Sequence, residues 1–194
     1  MNNDMLTCNR FNLKSVVLYE RKFMNNIGIY AGSFDPVTNG HFWMIRNGLN
    51  LFDRLIVAVG VNPTKKSMFT VEERMEMLRD YQWFPVTELY ANRFTVMSFE
   101  NKYLVEFAKE VGANYILRGI RNSTDAEFER GMRNINQDLA PDIQTVFLMP
   151  PRDLAEVSSS LVKGLVGPDG WKLVVSNYVN PMVLDMLEKK YRNT

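Results

Sequence analysis

The stretch Ile27-Gly28-Ile29-Tyr30-Ala31-Gly32-Ser33-Phe34-Asp35-Pro36-Val37-Thr38-Asn39-Gly40-His41 decides how the chain is read. Its first six residues form an apolar run of strand length. The next nine are rich in turn formers and end on the single histidine among 194 residues. Behind it, Phe42, Ile45, Leu49 and Phe52 recur at spacings of three and four, one face of a helix. A buried strand, a glycine-bounded loop and a helix opening at an imidazole form the kind of junction on which open α/β sheets bind ligands.

Outward from this junction the alternation continues. Leu55–Val61 is a continuous apolar run, as expected of a parallel strand covered on both faces. Thr70-Val71-Glu72-Glu73 reads as a capping box. Arg93–Ser98 is a weaker strand, and Leu104, Phe107, Ala108 and Val111 make another helical stripe. Tyr115-Ile116-Leu117 and Thr145–Met149 complete the strands. Late helices follow Ser158-Ser159-Ser160 and Asn180-Pro181, the latter a cap with proline at the first helical position. The pattern predicts an α/β fold: a doubly wound, open parallel sheet of about five strands with C-terminal helices. Crossovers between its strands are expected to be right-handed. Residues 1–26 are polar and without a clean period, and Met24-Asn25-Asn26 repeats Met1-Asn2-Asn3. They read as an extension ahead of one domain, 27–194; an extra strand through Val16–Tyr19 is the alternative.

Composition narrows the function classes. Lys+Arg (23) and Asp+Glu (22) nearly cancel, which argues against a nonspecific nucleic-acid binder. Cys8 is the only cysteine, so an intrachain disulfide and a cysteine metal cage are both excluded, in keeping with a reducing cytoplasm. One histidine excludes a histidine cluster, so any metal sits on oxygen ligands, including those of a substrate. No apolar run has membrane-spanning length. The loop at His41 lacks both GxxxxGK[ST] and GxGxxG, which removes support from a P-loop hydrolase and from a dinucleotide dehydrogenase.

Three further segments follow predicted strands at their carboxyl ends: Pro63-Thr64-Lys65-Lys66, Arg118-Gly119-Ile120-Arg121 and Ser158-Ser159-Ser160-Leu161-Val162-Lys163. Each alone has an ordinary surface reading, as solvated lysines, salt-bridged arginines or a helix cap. In this topology all of them converge with the His41 loop on one edge of the sheet. Cations, hydroxyls and helix N-termini gathered there suit a polyphosphate and a second anionic substrate.

At these residues the chain resembles the nucleotidyltransferase superfamily marked by a [T/H]xGH signature, here Thr38-Asn39-Gly40-His41. Within it the chain is most similar to the bacterial phosphopantetheine adenylyltransferases. GSFDPVTNGH, PTKKSMFTVEER, RGIR, TVFLMPP and VSSSLVK stand in that family's order and at similar spacing, from about Ile27 to the C-terminus. The resemblance implies transfer of AMP from ATP to 4′-phosphopantetheine, giving dephospho-CoA and pyrophosphate, with Mg²⁺ on the ATP phosphates. It implies that Ser33 meets both substrates and that His41 stabilises the transition state at the α-phosphate. Lys65 and Arg118 would hold the acceptor phosphate, and Leu104 the pantetheine arm. Phe34, Gly119, Ile120, Arg121 and Glu129 would bind ATP, together with Leu154, Ala155, Glu156, Val157, Ser158, Ser159 and Ser160. Asp125 matches a carboxylate near the triphosphate. A homohexamer is implied in the same way. Many members carry aromatic residues where this chain has Leu154-Ala155-Glu156-Val157, so the adenine or pantetheine surroundings are expected to differ.

The residue inventory offers no persuasive nucleophile–base pair. It suits direct in-line attack by an already ionised phosphate oxygen, helped by alignment and preorganised positive potential. Other readings remain at this point. One is a nicotinamide-nucleotide adenylyltransferase or cytidylyltransferase of the same superfamily. Another is a nucleotide-binding module without catalysis.

Overall fold

The computed structural model describes residues 26–64, 66–80 and 93–192. The expected extension lies outside them, apart from Asn26. So does Lys65.

Five strands form one all-parallel sheet: β1 (Ile27–Gly32), β2 (Arg54–Val61), β3 (Phe94–Glu100), β4 (Tyr115–Gly119) and β5 (Gln144–Leu148). Their order across the sheet is β3-β2-β1-β4-β5. Chain order runs outward on one side of β1 and then restarts on the other, so the topological switch lies between β1 and β4. There Gly28 pairs with Tyr115, Ile29 with Ile116 and Tyr30 with Leu117. A doubly wound sheet leaves its ligand crevice at this point. The predicted fold class is what the chain adopts.

Helices α1 (Asn39–Leu51), α2 (Val71–Leu78), α3 (Leu104–Glu110) and α4 (Ser123–Leu139) lie along the chain between strands. After β5 come α5 (Arg152–Ala155), α6 (Ser159–Leu165), α7 (Trp171–Val175) and α8 (Pro181–Arg192). Strand residues alternate between two cores. Tyr30, Leu55, Val57, Val59 and Leu117 join α1, α2, α6, α7 and α8 in the larger one. Ile29, Ala31, Ile56, Ala58 and Ile116 join α3 in the smaller. Both faces of the central strands are therefore dry, which explains why their sequences run apolar without alternation. Gly48 brings α1 close to the sheet: a Cβ there would stand 2.8 Å from Leu117 Cδ2.

The expected caps form. Thr70 Oγ1 accepts from the Glu73 amide, and the Glu73 carboxylate accepts from the Thr70 amide at 2.7 Å. Buried Asn180 caps α8 by accepting the Val183 amide at 2.8 Å. Helix α4 is the longest element that the sequence reading omitted. Its only buried residue is Glu129, so it lacks the core-facing apolar stripe that marks α1 and α3.

Candidate active site

The loop that joins β1 to α1 has an unusual backbone. Phe34 takes φ 51°, a left-handed conformation that costs a bulky residue about 1–3 kcal/mol. It is nonetheless fully buried, its ring edge-on to Tyr30 (5.5 Å between centroids) and to His41 (5.0 Å). Gly32 makes this possible, because a Cβ there would come 3.1 Å from the Phe34 ring. Gly32 and Gly40 both border the open space beside the loop.

Contacts from three other elements hold the loop. Buried Arg74 of α2 donates from Nη1 to Ser33 O at 2.9 Å and from Nε to Thr70 O at 3.1 Å. Ser159 of α6 donates its hydroxyl to Pro36 O at 2.8 Å. Asp35, buried in its side chain, is the common point. Its carboxylate accepts the amides of Met68 (3.1 Å) and Phe69 (2.9 Å) and pairs with Lys163 of α6 at 2.9 Å. Burial alone would raise the pKa of this group. The Lys163 ammonium and the two amides outweigh it and hold the carboxyl below the usual range. One carboxylate thus ties the histidine loop to the segment after β2 and to the serine helix. Neither Asp35 nor Arg74 was singled out from sequence. A charged residue between Phe34 and Pro36, in a loop otherwise apolar or small, is the signal that could have found Asp35.

At the start of α1 the imidazole takes the part usually played by glutamate in a capping box. His41 Nδ1 receives the Thr38 amide at 3.0 Å, with the Thr38 hydroxyl 2.9 Å away. An amide can only donate, so Nδ1 carries no proton in this arrangement. The neutral ring is then the Nε2–H tautomer, with Nε2–H on the edge left to the crevice. Burial, and secondarily the Arg121 charge, lower the His41 pKa from 6.5 to about 4. The imidazole is a neutral hydrogen-bond donor at pH 7. The Asn39 amide already donates to Tyr178 O at 2.8 Å, so part of the helix N-terminus is used internally.

The crevice itself is a cavity of about 360 Å³ at the β1–β4 switch. Ser33, His41, Arg118, Gly119, Arg121, Asp125, Glu129, Leu154, Val157, Ser158, Ser159 and Ser160 border it, together with Tyr30, Met44 and Pro150. Three of the four expected segments meet there, those of His41, Arg118 and the serines; Pro63, Thr64 and Lys66 do not line the cavity, and Lys65 lies outside the described residues. Phe34 lies beneath the floor, and Ile120, Ala155, exposed Glu156 and Leu104 do not line it. Leu104 packs in the smaller core with Phe107, which borders a second cleft of about 490 Å³ with Val61, Ser98, Phe99 and Lys102.

The cations are organised before any ligand arrives. Arg118 makes a two-pronged pair with buried Glu129, through Nε at 2.8 Å and through Nη2, and donates from Nη1 to Ala31 O at 2.9 Å. Burial disfavours its charge, but Glu129 outweighs this and raises its pKa. Three of its five N–H groups are engaged, and two remain for a ligand. Arg121 pairs with Asp125 at 2.8 Å, which lowers the Asp125 pKa. Among the described residues no three His, Cys, Asp or Glu side chains form a metal cage. Asp35, Asp125 and Glu129 are each paired to a cation. This donor set fits a metal brought in on a ligand's own phosphates better than one caged by the protein.

Comparison with known proteins agrees with this architecture. The cytidylyltransferase-like family profile matches residues 29–165. The phosphopantetheine adenylyltransferase of Chromobacterium violaceum is 57% identical over 160 residues, 82% of this chain and 94% of that protein. That of Neisseria meningitidis serogroup B is 53% identical over 165 residues, 85% and 94% of the two chains. That of Streptococcus equi subsp. zooepidemicus is 39% identical, over 86% and 95%. In shape the chain is similar to a nicotinic acid mononucleotide adenylyltransferase of Plasmodium falciparum, with a TM-score of 0.62 over 85% of this chain and 95% of the other. At 17% identity that likeness speaks for the fold alone. By its matched profile and these relatives, the chain belongs to the cytidylyltransferase-like family, among the phosphopantetheine adenylyltransferases.

Proposed function

We propose that this protein transfers AMP from ATP to 4′-phosphopantetheine, forming dephospho-CoA and pyrophosphate. The observation that carries the reading is the placement of His41. A neutral imidazole, its tautomer set by the Thr38 amide, borders a cavity that arginines and a triple-serine helix start share at the β1–β4 switch. The relatives named above support the choice of acceptor.

The reaction is direct displacement. An oxygen of the acceptor phosphate forms a bond to the α-phosphorus of ATP as the bond from that phosphorus to the bridging oxygen breaks, and pyrophosphate leaves with the electron pair. The acceptor phosphate arrives ionised, so no protein base is required. What opposes the step is the meeting of anions; what assists it is alignment and donors fixed beforehand. His41 donates from Nε2 to the phosphoryl group as charge builds there. Arg118 places its two remaining N–H groups toward the acceptor phosphate, with Glu129 and Ala31 O holding the guanidinium still. Lys65 follows β2 in the sequence and is assigned to the same phosphate. Ser33 lies between the two substrates. Gly119, Arg121 and the Leu154–Ser160 segment bind the nucleotide, the aliphatic Leu154 and Val157 facing its base. The second cleft, bordered by Phe107 one helical turn along α3 from Leu104, takes the pantetheine arm. Mg²⁺ carried on the ATP phosphates supplies charge neutralisation for the leaving pyrophosphate.

The protein works as a homo-oligomer, the hexamer of the family resemblance. Exposed Phe128, Ile135 and Leu139 on α4 support self-association.

Mass-spectrometric detection of dephospho-CoA from phosphopantetheine and Mg-ATP tests the assignment. Nicotinamide mononucleotide with ATP, and CTP in place of ATP, serve as controls. Product from phosphopantetheine is expected. Turnover of the nicotinamide nucleotide alone, or ATP binding without turnover, would overturn it. His41→Ala is expected to lower kcat by ~10²–10³ with much less effect on ATP affinity. Equal, small changes in both would remove His41 from the transition state.

A further inference from the structure

Tyr30 has no role in the reading above, yet its geometry marks it. It is the fourth residue of β1 and only 8% exposed. What surface it has borders the crevice. Its ring is packed edge-on against Phe34, and its centroid lies 6.5 Å from that of His41. A buried tyrosine normally finds a partner for its hydroxyl. Among the described residues this one has none, while no polar side-chain atom sealed from solvent is left unpaired. The phenolic oxygen therefore opens into the crevice. The charges that act on it are Arg118, Arg121 and Glu129, and Glu129 is already bound to Arg118. Burial pushes the phenol's pKa up, partly opposed by the two arginines, so the O–H stays protonated and able to donate.

We infer that Tyr30 is a ligand-binding residue of this site, its hydroxyl donating to a phosphate oxygen of the bound nucleotide beside His41. The inference rests on the nucleotide reading proposed above. A phosphate oxygen suits the position better than a base atom. The nearby charges are guanidinium groups, which draw an anion, whereas the apolar lining of Pro150, Leu154 and Val157 suits a base. A neutral donor also adds a hydrogen bond where a further fixed charge would strengthen product binding along with the transition state.

Tyr30→Phe tests this cleanly, because it keeps the ring and its packing and removes one oxygen. Calorimetric titrations of wild type and variant with ATP and with adenosine separate phosphate contact from base or sugar contact. The expected result is a tenfold or greater loss of ATP affinity, or of kcat, with adenosine affinity and melting temperature unchanged. ATP affinity and kcat both within twofold of wild type would overturn the inference, as would an equal loss for ATP and adenosine. Product formation by the wild type is measured in parallel. If it makes no dephospho-CoA, the assigned reaction fails, and the two titrations still decide the part played by Tyr30.

Discussion

At the scale of single residues, the chain's only histidine makes a sharp measurement possible. His41 has its Nδ1 occupied by the Thr38 amide, and burial holds its pKa near 4 rather than 6.5. With one histidine there is one imidazole Cε1–H resonance to follow by NMR. Its titration midpoint in the free enzyme is expected near pH 4, with Nε2 carrying the proton above it. A midpoint near 6.5 would mean that the ring is open to water and the donor assignment is wrong. Linkage gives a second readout. The folded-state pKa lies below the unfolded one, so the unfolded chain binds the proton more readily as pH falls. The stability that His41 contributes is complete above about pH 6.5 and is lost as pH drops toward 4. Asp35, also held below its ordinary value, works in the same direction at lower pH. The sequence made His41 legible because a lone imidazole at a strand–helix junction is conspicuous. It could not show the protonation state, which depends on how deeply the ring is buried and on where Arg121 and Thr38 come to lie.

At the scale of elements, the site depends on Asp35 binding α6 and the segment after β2 to the histidine loop. Helix α6 brings the serines, and the segment after β2 follows Lys65 in the sequence. Removing the carboxylate by Asp35→Ala leaves the Met68 and Phe69 amides without their acceptor and is expected to cost about 1–3 kcal/mol of stability. The more telling comparison is Asp35→Asn, Lys163→Met and the double variant. If the ion pair sets loop geometry, the losses in kcat/KM are strongly non-additive and Lys163→Arg retains most of the activity. Additive losses would show that the two residues act separately. The same scale shows where sequence reading falls short. Strands β1, β2 and β4 and the Thr70 and Asn180 caps were readable because burial on both sides and cap chemistry leave local signatures. Helix α4 was missed because its apolar residues face away from the core and its one buried side chain, Glu129, is charged. Its role is plain only beside Arg118. Leu104 was assigned only through the family resemblance: its helical stripe with Phe107, Ala108 and Val111 marks a core position, and it packs against the smaller core.

At the scale of the whole molecule, α4 raises the question of what covers it. Phe128, Met132, Ile135 and Leu139 recur at helical spacings along its length, and Phe128, Ile135 and Leu139 are 63%, 50% and 45% exposed. Edge strand β5 ends nearby in sequence at Phe147 and Leu148, followed by Met149, 73% exposed. Such a stripe is costly in water, at about 25 cal/mol for each Å² left uncovered. Burial against further copies of the chain would remove that cost. Phe128→Glu combined with Ile135→Glu places charges on positions that support nothing within the single chain, so its folding stability is expected to change little. At an interface the same charges would be stranded without partners. Size-exclusion chromatography with light scattering is expected to give six chains for the wild type and one chain of 22.5 kDa for the variant. A wild type that already runs as one chain would refute the oligomer. A variant that keeps the wild-type mass would place its contacts on another face. Because Glu129 lies on the same helix and fixes Arg118, the monomer is also expected to show weaker acceptor binding, read as a rise in KM for phosphopantetheine at nearly unchanged KM for ATP.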